Sequence, residues 1–181
     1  MDSNTNIYYV IDIYSMNNIR NITLGVVIII AIAATTITFT NFNQATVFAQ
    51  NNNFMANLTG QEEVPPTNSN ATGTVQLTSN GGDSVDYLVN VTNIKGVTDG
   101  HLHLGEKGEN GLIVFTLFRP DAPVDQVSEN ETISEDEFVG PLKGKSISDL
   151  TTALGNGSIY ANIHTQENPN GEIRGQMMGS Q

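Results

Sequence analysis

From residue 53 onward the chain alternates apolar and polar positions in short runs, each closed by Gly, Asn, Asp or Pro. A period of two with frequent turn residues predicts half-buried strands. Asn53 to Leu58 reads as the first, ended by Gly60 and the Pro65-Pro66 pair. In ATGTVQLTS, Val75 and Leu77 alternate with Thr74, Gln76 and Thr78; in SVDYLVNVTN, Val85, Tyr87, Val89 and Val91 share one face. The Asn80 to Asp83 turn between them predicts a hairpin with its apolar face inward. GLIVFTLF, up to Phe118, has no polar face and is expected to be a central strand covered on both sides.

The acidic, proline-bearing stretch from Arg119 to Glu137 reads as a long exposed loop, and Phe138 to Leu142 as a short strand. Only Ser146 to Leu154 looks helical: Ser146 and Asp149 fit a capping box, Ile147, Leu150 and Leu154 share a face, and Gly155 suits the end. SIYANIHT and GEIRGQMM are expected to be strands joined by the turn Gln166 to Asn170, with Ile159, Ala161 and Ile163 facing inward. The pattern therefore predicts an all-β sandwich or barrel with one short helix.

The first 49 residues follow a different rule. Ile22 to Phe39 is an uncharged apolar run of 18 residues, preceded by Arg20 and followed by a polar stretch in which Val47 and Ala49 occupy the small-residue positions of a signal-peptidase site. Residues 1–49 are read as a signal-peptide leader, cleaved after Ala49, and residues 50–181 as one domain. The segment before Met16 carries Asp2 and Asp12 and no base, the wrong charge for a leader, so translation is expected to start at Met16. The alternative reading is an uncleaved membrane anchor, since 18 residues is near the lower limit for a bilayer span. Both put the domain outside the cytoplasmic membrane, extracellular or on that membrane's outer face.

Of the net charge of −12, the leader contributes only Asp2, Asp12 and Arg20, so the acidity belongs to the domain. Such a surface repels phosphate backbones and anionic lipid heads, so no nucleic-acid partner is expected and membrane contact only through an uncleaved leader. There is no cysteine, which removes disulfides, thiolate nucleophiles and cysteine metal sites together.

The remaining chemistry sits in the three histidines. His101 and His103 are two apart on an expected strand and point to one side. On the later strands, Tyr160, Asn162 and His164 oppose the apolar face, as do Glu172, Arg174 and Gln176. Were these strands neighbours, His101, His103 and His164 would converge as nitrogen ligands for one copper or zinc ion. Glu62, Glu63, Glu106 and Glu172 are candidates to supply a carboxylate or to orient an imidazole through its second nitrogen, and Asn162 and Arg174, with Glu63 and Glu172, complete a polar shell. The competing reading is that the histidines hydrogen-bond across strands and hold no ion. Arg174 is expected to brace the last strand rather than bind an anion. No catalytic constellation is complete: the chain has no nucleophile elbow, no phosphate loop and no distinctive carboxylate pair.

Four segments taken in order resemble the CHRD domain, the repeat of chordin that also occurs singly in exported prokaryotic proteins. They are LTGQEEVPP (Leu58 to Pro66), ATG (Ala71 to Gly73), GHLHLGEKGENGLIVFTLF (Gly100 to Phe118) and IYANIHTQENPNGEIRGQM (Ile159 to Met177). Gly100 stands where the family often has alanine. The resemblance implies an immunoglobulin-like β-sandwich or barrel, distantly similar to copper/zinc superoxide dismutases, whose His-X-His strand His101 and His103 would match. The dismutase activity does not carry over with it, because three imidazoles are fewer than a dinuclear site uses and the paired cysteines are missing. The expected role is an exported binding or structural module holding one metal ion, with an unknown extracellular protein or surface as partner. The alternative is a copper/zinc-type redox metalloprotein.

Overall fold

The computed structural model describes residues 52–81 and 84–180. The leader, its cleavage site and the Met16 start lie outside the described residues. Among the described residues no helix is long and apolar enough to cross a membrane.

Among the described residues nine strands form one antiparallel sheet: β1 Asn52–Thr59, β2 Thr72–Ser79, β3 Val85–Thr92, β4 Val97–Leu104, β5 Leu112–Phe118, β6 Val127–Ile133, β7 Ile159–Thr165, β8 Ile173–Gln176 and β9 Met178–Gly179. Their order is β5-β4-β7-β8-β1-β2-β3-β6, with β9 on β1. The sheet curls into a nearly closed barrel whose two edges are β5 and β6. The Tyr87 hydroxyl on β3 reaches across the interior and donates to the Leu117 carbonyl of β5.

The alternating pattern sets the registers. Val75 opposes Val89 and Leu77 opposes Tyr87 in the β2–β3 pair, and all four side chains are buried. A one-residue slip would turn both apolar sets to solvent. The helix α1, Ile147–Gly155, starts at Ser146 with both arms of the capping box made, and buries Ile147, Leu150 and Leu154.

Three expectations are corrected. The stretch from Arg119 to Glu137 is not all loop: it contains β6, which pairs with β3 over its whole length. β6 has only Val127 and Ile133 buried, at its two ends, so its interior carries no apolar alternation to read. Phe138 to Leu142 forms no strand; a single 3-10 turn, Gly140–Leu142, lies there, and Val139 N–H donates to Val114 O of β5. β5 itself is an edge strand, hydrogen-bonded within the sheet to β4 alone, with Leu112 69% exposed.

The strand covered on both faces is β7, every residue of which is buried. Ile159, Ala161 and Ile163 face the barrel core, while Tyr160, Asn162 and His164 lie on the opposite face. That outer face is covered by the Gly105–Gly111 loop and the turn from Gln166 to Gly171: Gly111 N–H donates to the Tyr160 hydroxyl, and the Pro169 carbonyl meets His164. A buried strand whose second face is polar escapes a rule that equates double burial with continuous apolarity.

Candidate metal centre

β4 lies between β5 and β7, and β7 between β4 and β8. The β4–β7 register places Asp99 opposite His164, His101 opposite Asn162 and His103 opposite Tyr160. The β7–β8 register then places Arg174 beside Asn162 and Gln176 beside Tyr160. Because side chains alternate across a strand, all of these occupy the face turned away from the core. Two register shifts in the β4–β5 ladder flank His101 and His103, the kind of irregularity that re-aims side chains beside a site.

The three imidazoles come together, because β4 and β7 are the neighbours that the sequence reading required. Ring centroids are 5.0 Å apart for His101 and His164, 5.8 Å for His101 and His103, and 6.0 Å for His103 and His164. One ring nitrogen from each residue lies within 4.8 Å of the other two. An ion bound at about 2.1 Å in tetrahedral geometry needs nitrogens roughly 3.4 Å apart, so each ring would move by less than about 1 Å.

Hydrogen bonding decides which nitrogens are available. Nδ1 of His103 lies 3.1 Å from Gly111 O, and Nδ1 of His164 lies 3.1 Å from Pro169 O. A carbonyl only accepts, so each Nδ1 carries the proton and each Nε2 keeps its lone pair. Nδ1 of His101 faces the Asp99 carboxylate at 3.4 Å, close enough for attraction but too poorly aligned for a hydrogen bond. All three Nε2 atoms are buried without a partner. Burial pushes His101 and His103 down to about 4, so both are neutral at physiological pH. His164 adds to the depression of both, the nearby Asp99 partly opposes it at His101, and the Gly111 hydrogen bond opposes it at His103.

Three unpartnered ring nitrogens in a buried site are costly unless something satisfies them. The cluster could hold a metal ion that all three ligate, and imidazoles held through Nδ1 by carbonyl or carboxylate are the usual way metal ligands are oriented.

The surrounding residues hold this arrangement. His103 stacks on Tyr160 at 4.7 Å between ring centroids, and the Arg174 guanidinium carbon lies 3.5 Å from the centroid of the Tyr160 ring. Arg174, 1% exposed, donates to Glu106 O, Glu109 O and Asn110 Oδ1 at 3.1, 2.8 and 3.2 Å. It therefore braces the loop that delivers the Gly111 carbonyl to His103, rather than its own strand. Gly111 has no room for a side chain, since a Cβ there would lie 1.8 Å from Leu104 O.

Glu172 accepts from Ser69, Thr165 and Asn168. Burial would raise its carboxyl, but these three donors outweigh that and hold it below the ordinary range. Glu172 thereby fixes the turn that carries the Pro169 carbonyl to His164. Glu63 is buried against Asn162, whose Nδ2 donates to it at 3.5 Å. Burial, only partly offset by Arg174, pushes its carboxyl up to about 7.

None of Glu62, Glu63, Glu106 or Glu172 orients an imidazole; that role falls to Asp99, Gly111 and Pro169. Asp99 was legible in the sequence, because Asp99, His101 and His103 alternate on one strand face. The two carbonyls left no trace in side-chain identity.

Searched against curated proteins, the chain finds no match. The CHRD domain family model matches residues 54–177, which contain every residue of the site. The chain belongs to the CHRD domain family.

Proposed function

We propose that this CHRD domain is an exported module that holds one zinc or copper ion on Nε2 of His101, His103 and His164. It would act outside the cytoplasmic membrane as a binding or structural unit for an extracellular protein or surface. The observation that carries the metal reading is the set of three buried Nε2 atoms without partners, each on a ring whose Nδ1 faces an acceptor. The neutral imidazoles of His101 and His103 bind a cation without first releasing a proton, which supports uptake at neutral pH. Export is supported by the leader, and the acidic surface suits cationic or basic company better than nucleic acid.

The test is metal stoichiometry. Protein expressed with its own leader is purified, equilibrated with zinc or copper, freed of excess ion and analysed for bound metal. One equivalent per chain is expected, falling to none in His103→Ala and His164→Ala. At a free ion concentration a hundredfold above Kd, stabilisation of about 2.7 kcal/mol should raise Tm by roughly 10 °C. A wild-type chain that retains no metal overturns the proposal. If copper is retained, a superoxide dismutation assay separates a redox role from a structural one.

A further inference from the structure

Five Asn-X-Thr or Asn-X-Ser triplets fall within the described residues, at Asn57, Asn70, Asn90, Asn130 and Asn156. Such a triplet is an acceptor for N-linked sugar in an exported chain when the asparagine and the hydroxyl two residues on are both open to a transferase. The fold treats the five differently. Asn57 lies inside β1, and its Thr59 is half-buried, paired on one side to Thr72 of β2 and on the other to Arg174 of β8. Asn90 lies inside β3 between β2 and β6, where its carboxamide oxygen accepts from the Ser128 hydroxyl. Within β6, the Thr132 hydroxyl that would serve Asn130 donates instead to Asp86 at 2.7 Å. Ser158, which would serve Asn156, is half-buried.

Asn70 meets both conditions. It is exposed, it precedes β2 and belongs to no strand pair, and Thr72 is exposed at the first position of β2. Ala71 between them anchors the triplet: it is 2% exposed, and its N–H donates to the Ser69 hydroxyl at 3.0 Å. Space is available at the same place. Asn70 lines a depression of about 700 Å³, within the size range of small-molecule sites. The lining includes Asn93, Lys95, Glu167 and Asn168, whose amide, ammonium and carboxylate groups are hydrogen-bond partners for sugar hydroxyls.

We propose that Asn70 is a site of N-linked glycosylation. In the transfer, Nδ2 of Asn70 forms a bond to the anomeric carbon of a sugar carried on a lipid phosphate. The bond from that carbon to the phosphate oxygen breaks, the lipid phosphate leaves with the electron pair, and Nδ2 gives up one proton. The proposal rests on the export reading, since the chain must meet its donor on the outer side of the membrane, and it does not depend on the metal.

The test is mass spectrometry of the full chain, made with its own leader in its natural host and recovered outside the cytoplasmic membrane. Cleavage after acidic residues releases Val64 to Asp83, in which Asn70 heads the one acceptor triplet. That peptide should be heavier than its sequence by a whole number of sugar residues, with the fragment ions placing the addition on Asn70. Asn70→Gln and Thr72→Ala should each abolish the addition, whereas Thr72→Ser, which keeps the hydroxyl, should retain it. An unmodified peptide from wild-type protein found outside the membrane overturns the proposal and leaves export standing. Sugar at any of the other four asparagines with Asn70 bare overturns it equally. A chain that never leaves the cytoplasm removes the export reading and this one together. The wild-type peptide decides the matter even if a variant fails to fold.

Discussion

Glu63, outside the imidazoles, is a residue whose chemistry burial alters within the physiological pH range. Its carboxyl is pushed up to about 7 by desolvation against an ordinary value of 4.5. A raised folded-state value favours the protonated form, so its contribution to stability is complete below pH 4.5 and is lost as pH rises toward 7. The metal-free wild type should therefore lose stability relative to Glu63→Gln across that window, by at most about 3 kcal/mol. Urea titrations of both proteins at intervals of pH measure the difference directly; a difference independent of pH would refute the burial argument. The histidines shift in the opposite sense, and the comparison cancels them because both proteins carry them. Gly100 makes a related point about space. A Cβ there would lie 2.4 Å from the Phe118 ring, so the chain uses glycine at this position where the aromatic ring of β5 occupies the volume of a methyl group.

Elements with a local signature formed where the sequence placed them. The helix α1 needs only its own residues: the Ser146–Asp149 box at one end and three apolar side chains on one stripe. Replacing Ser146 with Ala removes the acceptor for Asp149 N–H and should cost about 1 kcal/mol, read as a lower midpoint in urea at unchanged slope. A midpoint identical to wild type would mean that tertiary packing alone fixes the helix start. The β2–β3 hairpin is legible for the same reason, with alternation on both strands and a Gly-rich turn between. β5 and β6 are not. β5 is apolar except for Thr116 yet lies at an edge, because the chain after β6 returns beneath it: Val139 pairs to Val114, and Phe138 packs edge-on against Phe115. β6 is polar through its middle because it needs only main-chain hydrogen bonds to β3, and such bonds carry no side-chain code.

At the scale of the whole molecule, the barrel stays open between β5 and β6, bridged by Tyr87 and by the mutual main-chain bonds of Val97 and Val124. With no cysteine to close loops, this packing and the strand ladders hold the domain. The proposed placement of the domain outside the cytoplasmic membrane rests on the leader, and its expected consequence is chemical: the mature protein should begin at Gln50. Sequencing the N-terminus of protein recovered from outside the cell checks it. A chain that retains residues 22–39 and partitions with membranes would instead support an anchor, and peptides from residues 1–15 would refute a start at Met16.

The sequence by itself determined the strand alternation, the helix and its cap, the domain's acidity and the side of β4 on which both its histidines lie. These are local properties, set by side-chain period and by hydrogen bonds between near neighbours. Only the tertiary structure decided that His164 joins His101 and His103, because strand order depends on burying every face of the sheet at once. It alone decided that the carbonyls of Gly111 and Pro169 orient two of the rings, since a main-chain oxygen is common to every residue. It also decided that a polar face of β7 is buried, through loops whose own sequences mention only turns.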